Sequence, residues 1–141
     1  MKKYIPSPRK FVAEQVDLYE KSGGTQGITM SNMPVIIVTH TGSKTGAIRK
    51  TPLMTVLDGD NYVLVASQGG APKNPLWYYN LKKNPNVEIQ DRENLYSMIV
   101  REVNDNEERE KLWALAVKAY PPYEDYQVKT KRIIPLFVAE H

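Results

Sequence analysis

The stretch Pro34-Val35-Ile36-Ile37-Val38-Thr39-His40-Thr41-Gly42-Ser43-Lys44-Thr45-Gly46-Ala47-Ile48-Arg49-Lys50-Thr51-Pro52-Leu53-Met54-Thr55-Val56-Leu57-Asp58-Gly59-Asp60-Asn61-Tyr62-Val63-Leu64-Val65-Ala66-Ser67 decides the fold class. It contains three β-rich runs, Val35 to His40, Lys50 to Leu57 and Asn61 to Ser67, with no helical segment between them. Asp58-Gly59-Asp60 joins the last two as a hairpin signal. Strands linked by turns pair antiparallel, whereas parallel neighbours need a long crossover, usually a helix.

The flanks extend this pattern. Ser7-Pro8 reads as an N-cap with proline at the first helical position, and Val12, Val16 and Tyr19 recur on one face of a helix running to about Lys21. Ser22-Gly23-Gly24-Thr25-Gln26-Gly27 reads as a flexible connection. Downstream, Asn74-Pro75 opens a short helix through Lys82, and strands are expected over Val87 to Gln90 and Leu95 to Val103. Asp105 and Glu108 form a capping-box pattern ahead of a helix that Pro121-Pro122 stops. Tyr123 to Gln127 reads as irregular or briefly helical, and Ile133 to Ala139 as a strand that Pro135 assigns to an edge or a bulge. The whole is an α+β chain with a mainly antiparallel sheet or barrel and flanking helices. Residues 1–30 form an N-terminal helix and connection, and 31–141 a single domain.

Composition narrows the chemistry. With no cysteine and only His40 and His141 as histidines, the chain cannot build a thiolate nucleophile, an iron–sulfur cluster or a multi-histidine metal centre, and no metal is expected. Nineteen Lys and Arg against sixteen Asp and Glu give a formal charge of +3. That balance permits an anionic ligand. The cations are interspersed with acids and no nucleic-acid motif is present, so nucleic acid is not expected as a partner. The basic start Met1-Lys2-Lys3 runs into Ile5-Pro6-Ser7-Pro8 rather than an apolar stretch, so a signal peptide is not expected, and the longest aliphatic run, Val35 to Val38, is too short to span a membrane. The expected location is cytoplasmic, with peripheral contact at the inner face of the cell membrane left open.

Three constellations carry possible chemistry. Thr39 to Lys50 packs two glycines, several hydroxyls and the cations Lys44, Arg49 and Lys50 between two strands, a composition that suits an anion and equally a solvated hairpin loop. Val65-Ala66-Ser67-Gln68-Gly69-Gly70 leads through Lys73-Asn74-Pro75 into a helix start, where backbone donors and the helix dipole favour a phosphate. Trp77 and Tyr78 in that helix suit either stacking on a flat ring or the core. Tyr120, Tyr123 and Tyr126, three residues apart, either face a cavity together or anchor the C-terminal region. Glu124 and Asp125 read as solvated, and His40 as a hydrogen-bonded structural residue.

In this order and spacing, Thr41-Gly-Ser-Lys-Thr-Gly46 with Arg49 and Pro52-Leu53, Val65-Ala-Ser-Gln-Gly-Gly70, Lys73-Asn-Pro-Leu-Trp-Tyr78, Asn80-Leu81-Lys82, Tyr120-Pro121 and Arg132-Ile-Ile-Pro135 resemble the deazaflavin (F420)-dependent nitroreductase and quinone reductase family of actinobacteria. The resemblance implies a split β-barrel of the flavin-reductase, FMN-binding type, with residues 31–141 as the deazaflavin-binding domain. It implies that Ser43, Lys44, Thr45 and Arg49 meet the anionic tail of the cofactor. Thr51, Pro52 and Met54 would line a groove, Val65, Ala66, Ser67 and Gln68 would meet the ring and phospholactyl portions, and Leu76, Trp77, Tyr78 and Asn80 would complete the wall. Tyr120, Tyr123, Tyr126 and Ser67 would surround the acceptor, with Tyr123 also touching the cofactor and Tyr126 or Ser67 orienting the acceptor oxygen or delivering a proton. The implied reaction is hydride transfer from reduced deazaflavin to a quinone, a nitroaromatic or a similar electron-poor acceptor. Met54 and Gln68 depart from a prominent member, which carries an aromatic and a lysine there. FMN in place of F420, or a non-catalytic F420 carrier, remain as alternatives, as do monomer and homodimer.

Overall fold

A computed structural model describes residues 2–141. The elements are α1 (Lys10–Lys21), β1 (Thr29–Met30), β2 (Met33–Thr41), β3 (Ile48–Met54), β4 (Leu57–Asp58), β5 (Asn61–Val65), α2 (Leu76–Lys83), β6 (Asn86–Asp91), β7 (Asn94–Glu102), α3 (Asn106–Ala119), α4 (Pro122–Lys129) and β8 (Leu136–Glu140). All strand pairs are antiparallel, in the order β3-β2-β6-β7-β8-β5-β4, with β1 added on β2.

That order dictates a curved sheet. β3 and β4 lie six strand spacings apart in it, roughly 29 Å across a flat sheet. Yet Met54 ends β3 and Leu57 begins β4, and three Cα steps reach at most about 11 Å. Only a sheet curled until its ends approach one another satisfies both. The ends meet without a ladder between β3 and β4, and a single backbone bond, Val63 N–H to the Val56 carbonyl at 2.9 Å, ties the crossing to β5.

Strand parity then sorts the apolar side chains. Ile36 and Val38 of β2, Leu64 of β5, Ile89 of β6, Met98 and Val100 of β7 and Phe137 of β8 fill one face together with Trp77 and Leu81 of α2. The alternate residues Val35 and Ile37 pack against Val16 and Tyr19 of α1. Val63, Val65, Leu136 and Val138 pack under α3 and α4 with Leu112, Ala116 and Tyr123. Strands buried on both sides read as continuous hydrophobic runs, as Val35 to Val38 does.

Several local expectations change. β8 pairs with both β5 and β7 and is a central strand, because Pro135 lies just before it and supplies only its carbonyl, to Ala66 N–H at 3.0 Å. The second β-run divides into β3 and β4 at the crossing. α1 starts two residues later than Ser7-Pro8 suggested, with Arg9 at the N-cap position, and the Ser7 hydroxyl accepts from Arg9 N–H instead. Asn74 does not cap α2, since its side chain is taken by Arg132. Residues 122–129 form a full helix with proline in its first turn. At α3 half of the capping box forms: Asp105 accepts from Glu108 N–H, while the Glu108 carboxylate pairs with Arg101.

The N-terminal segment is tied to the sheet. Ile5 N–H bonds to the Ile48 carbonyl and Ile48 N–H to the Lys3 carbonyl, and Lys50 of β3 pairs with Glu20 of α1. Gly24, at φ +80°, sits so close to Arg92 that an added Cβ would fall 1.7 Å from its carbonyl oxygen. The Tyr19 hydroxyl, fully buried, donates to the Val35 carbonyl at 3.0 Å and accepts from Arg92 N–H at 2.7 Å. Tyr19→Phe leaves both backbone groups without this partner and is expected to lower stability by about 2 kcal/mol in urea unfolding.

Candidate functional site

The β2–β3 loop is a closed turn. Gly42 N–H bonds to the Ala47 carbonyl at 2.7 Å, Gly46 N–H to the Gly42 carbonyl at 3.0 Å, and the Thr45 hydroxyl accepts from Ala47 N–H at 3.1 Å. Gly46 at φ +71° lets the chain reverse. Lys44 and Thr45 stand exposed at its tip, and Arg49, half-buried, reaches the Ile5 and Pro6 carbonyls at 3.4 and 3.5 Å.

α2 holds this loop by both backbone groups of one residue, Ser43. The Asn80 side-chain oxygen accepts from Ser43 N–H at 2.8 Å, and Lys83 Nζ donates to the Ser43 carbonyl at 2.8 Å. The Asn80 amide nitrogen lies 3.2 Å from His40 Nδ1, and His40 Nε2 lies 2.9 Å from the Thr51 hydroxyl. His40 is 4% exposed.

On the other side of α2 lies the turn between β5 and that helix. Arg132 staples it with four acceptors: the carbonyls of Ala66 (3.1 Å), Ser67 (2.6 Å) and Ala71 (2.9 Å) and the Asn74 side chain (2.8 Å). Gln68, Gly69 and Gly70 all have positive φ within it. A Cβ on Gly70 would come within 2.7 Å of the Tyr126 carbonyl, so the turn lies directly against α4. Neither this turn nor α2 has a side-chain cap at its N-terminus. Their first backbone N–H groups are therefore available to an anion.

α4 carries the tyrosines. The Tyr120 and Tyr126 hydroxyls are 3.1 Å apart, and the Tyr123 ring stands edge-on to Tyr120 at 4.9 Å and to Tyr126 at 6.2 Å. Met54 packs on the same apolar cluster. The Tyr120 bond, burial and the Asp125 charge push Tyr126 up to about 12, and burial pushes Tyr123 up further. Both are neutral hydrogen-bond donors at neutral pH.

Loop, helix, turn and α4 thus adjoin in a row, and most of the expected residues fall on it. The fates of their side chains differ. Val65, Ala66 and Ser67 are buried, and Gln68 is exposed. Leu76 is 80% exposed on the same helical face as Asn80, whereas Trp77 lies in the core against Phe137, and Tyr78 donates to Glu102. Thr51 shares a strand face with Leu53 toward α2, while Pro52 and Met54 leave β3 on the opposite face. Arg132 and Lys83 acquire positioning roles that no spacing in the sequence announces. Glu124 and Asp125 are exposed, as expected of solvated acids.

Burial, with a smaller contribution from the Arg49 charge, pushes His40 down to about 4 from 6.5. The unfolded chain therefore takes up a proton that the folded one refuses between those values. Stability from neutral His40 is complete above about pH 6.5 and falls as pH drops toward 4, by on the order of 3 kcal/mol. Urea unfolding between pH 7 and 4.5 is expected to show a component of this slope that His40→Gln abolishes.

The family model described as F420H(2)-dependent quinone reductase matches residues 11–141. An F420H(2)-dependent quinone reductase of Mycobacterium tuberculosis is 36% identical over 124 residues, covering 86% of this chain and 83% of its own length. A solved F420-H2 dependent reductase, FDR-A, is 48% identical with a TM-score of 0.71 over 76% of this chain and 94% of its own. A solved chain described as a domain-swapped dimer is 45% identical, TM-score 0.75, over 95% of this chain and all of its own. The fold is the split β-barrel with flanking helices. The chain belongs to the F420H(2)-dependent quinone reductase family.

Proposed function

We propose that this chain transfers a hydride from reduced F420 to a quinone, with the cofactor along the row formed by the Gly42–Ala47 loop, α2 and the Ser67–Ala71 turn. The observation that carries the site assignment is the adjacency of an exposed cationic loop, the uncapped N-terminus of α2 with the glycine-rich turn before it, and a cluster of neutral tyrosine hydroxyls. That donor set fits the group: separated anionic portions need more than one anion-binding element, and a flat ring needs an apolar wall. Lys44, Thr45 and Arg49 meet the anionic tail, the Gln68–Gly70 turn and the α2 N-terminus take the phosphate, and Leu76 offers exposed apolar surface.

Reduced F420 supplies two electrons and a proton's worth of hydrogen as hydride. The protein's part is to bind, orient and protonate. Tyr120 and Tyr126 share one hydrogen bond, so one of the two hydroxyl hydrogens stays available to the acceptor oxygen. Ser67, in the turn whose Gly70 packs on the Tyr126 backbone, offers a second hydroxyl. A dimer is supported by the relative described as domain-swapped. Peripheral contact with the inner membrane surface belongs to the same reading: Lys2, Lys3, Arg9 and Lys10 sit with an exposed Phe11 at the N-terminal end, and no described helix is long and apolar enough to cross a membrane.

Fluorescence titration with oxidised F420, with FMN in parallel, is expected to show saturable F420 binding and none for FMN. FMN preference, or F420 binding without reduction of any quinone, would move the reading to a flavoenzyme or a carrier. Tyr126→Phe is expected to lower kcat/KM for quinone by about tenfold or more with F420 affinity within threefold. Full turnover in both Tyr126→Phe and Ser67→Ala would remove these hydroxyls from the reaction.

A further inference from the structure

We propose that His40 is the positioning residue of the β2–β3 loop: through Asn80 it fixes the Ser43 peptide, and so the direction in which Lys44, Thr45 and Arg49 face the anionic tail of F420. The inference rests on the reading of that loop as the F420-tail site. No part of it requires His40 to touch the cofactor.

Hydrogen-bond direction decides the argument. Ser43 N–H can only donate, so the Asn80 group 2.8 Å away must be its carbonyl oxygen. The amide nitrogen then faces His40 Nδ1 at 3.2 Å and donates to it. Nδ1 is therefore the unprotonated nitrogen, and Nε2–H donates to the Thr51 hydroxyl at 2.9 Å. Each of the three bonds along Ser43, Asn80, His40 and Thr51 then has one donor and one acceptor. Turning the Asn80 amide over would set its NH2 against Ser43 N–H and its oxygen against the histidine lone pair, so His40 adds a second penalty to the flip.

The chain of bonds also joins the right elements. His40 belongs to β2, Thr51 to β3 and Asn80 to α2, whose Lys83 takes the Ser43 carbonyl in the next peptide group. Beyond Ser43 the loop is held by its own internal bonds and Thr45 hydroxyl. Orientation of the whole turn relative to α2 therefore passes through the two backbone groups of Ser43, and His40 sets the side chain that grips its N–H.

The test uses the full-length protein with His40→Phe, which keeps a flat ring and removes both bonds, and His40→Gln, whose amide can still accept from Asn80 and donate to Thr51. Amide hydrogen exchange of cofactor-free protein, read by NMR, is expected to show Ser43 exchanging at least tenfold faster in His40→Phe. The F420 dissociation constant should rise about tenfold with the quinone KM within threefold, and His40→Gln should restore both quantities to within threefold of wild type. If His40→Phe does not fold, Asn80→Leu removes the Ser43 acceptor and should give the same exchange and affinity changes. Wild-type Ser43 exchange or wild-type F420 affinity in the ring-only variant overturns the inference, as does an equal rise in quinone KM and F420 dissociation constant. A wild-type protein that binds no F420 overturns the assignment of the loop itself, and the inference falls with it.

Discussion

The crossing from Met54 to Leu57 is the constraint on which the rest of the molecule depends. Because so few residues connect strands at opposite ends of the hydrogen-bonded order, the sheet has to curl, and a curled sheet has an inner and an outer set of side chains. The apolar runs of β2, β5 and β8 supply both sets by simple alternation. Helices then cover what the curl leaves exposed: α2 one face, α1 and the α3–α4 pair the other. The seam between β3 and β4, where no ladder closes the barrel, is bordered by Met54 and the tyrosine cluster. In this way the backbone constraint determines where the candidate acceptor site can lie.

Two polar staples convert that scaffold into a shaped surface. One is the Ser43–Asn80–His40–Thr51 chain, the other the Arg132 fork on the turn after β5. Both are half-buried or buried, where hydrogen bonds are least exchanged for water and a missing partner is most destabilising. Both act on backbone groups. They hold irregular segments in one conformation, which is what an anion site built from loop and turn donors requires. The cavity of about 610 Å³ that also touches His40 lies on the far side of this node, lined by Thr39, Glu88, Ser97 and His141 rather than by the cationic loop.

Much of this was legible in the residues because it is periodic or local. Antiparallel pairing followed from turn-linked strands, and the α3 cap from Asp105. Glycines beside cations over Thr39 to Lys50, and a glycine-rich turn ahead of a helix start after Val65, marked these segments as candidate anion sites. Family resemblance added the barrel type and the cofactor. What stayed illegible depends on contacts between distant segments. Pro135 signalled an edge strand, but a proline one residue outside a strand leaves the ladder intact, and β8 became central. Asn74 signalled a helix cap until Arg132, distant in sequence, claimed its side chain. Strand parity, combined with the actual register, also divides Thr51 from Pro52 and Met54, which a groove-lining reading had grouped together. His40 was recognisable as a hydrogen-bonded strand-end histidine, yet its partners could not be named before α2 was placed beside it.

The central claim is that the loop, α2 and the following turn form one cofactor-binding row. Mapping NMR amide shifts across the whole chain during an F420 titration tests this most directly. The account predicts changes concentrated at Ser43–Gly46, Gln68–Ala71 and Leu76–Tyr78, with smaller ones at Tyr120–Tyr126. Changes centred instead on Thr39, Glu88, Ser97 and Ile99, around the far cavity, with the 43–46 and 68–71 amides unmoved, would contradict it.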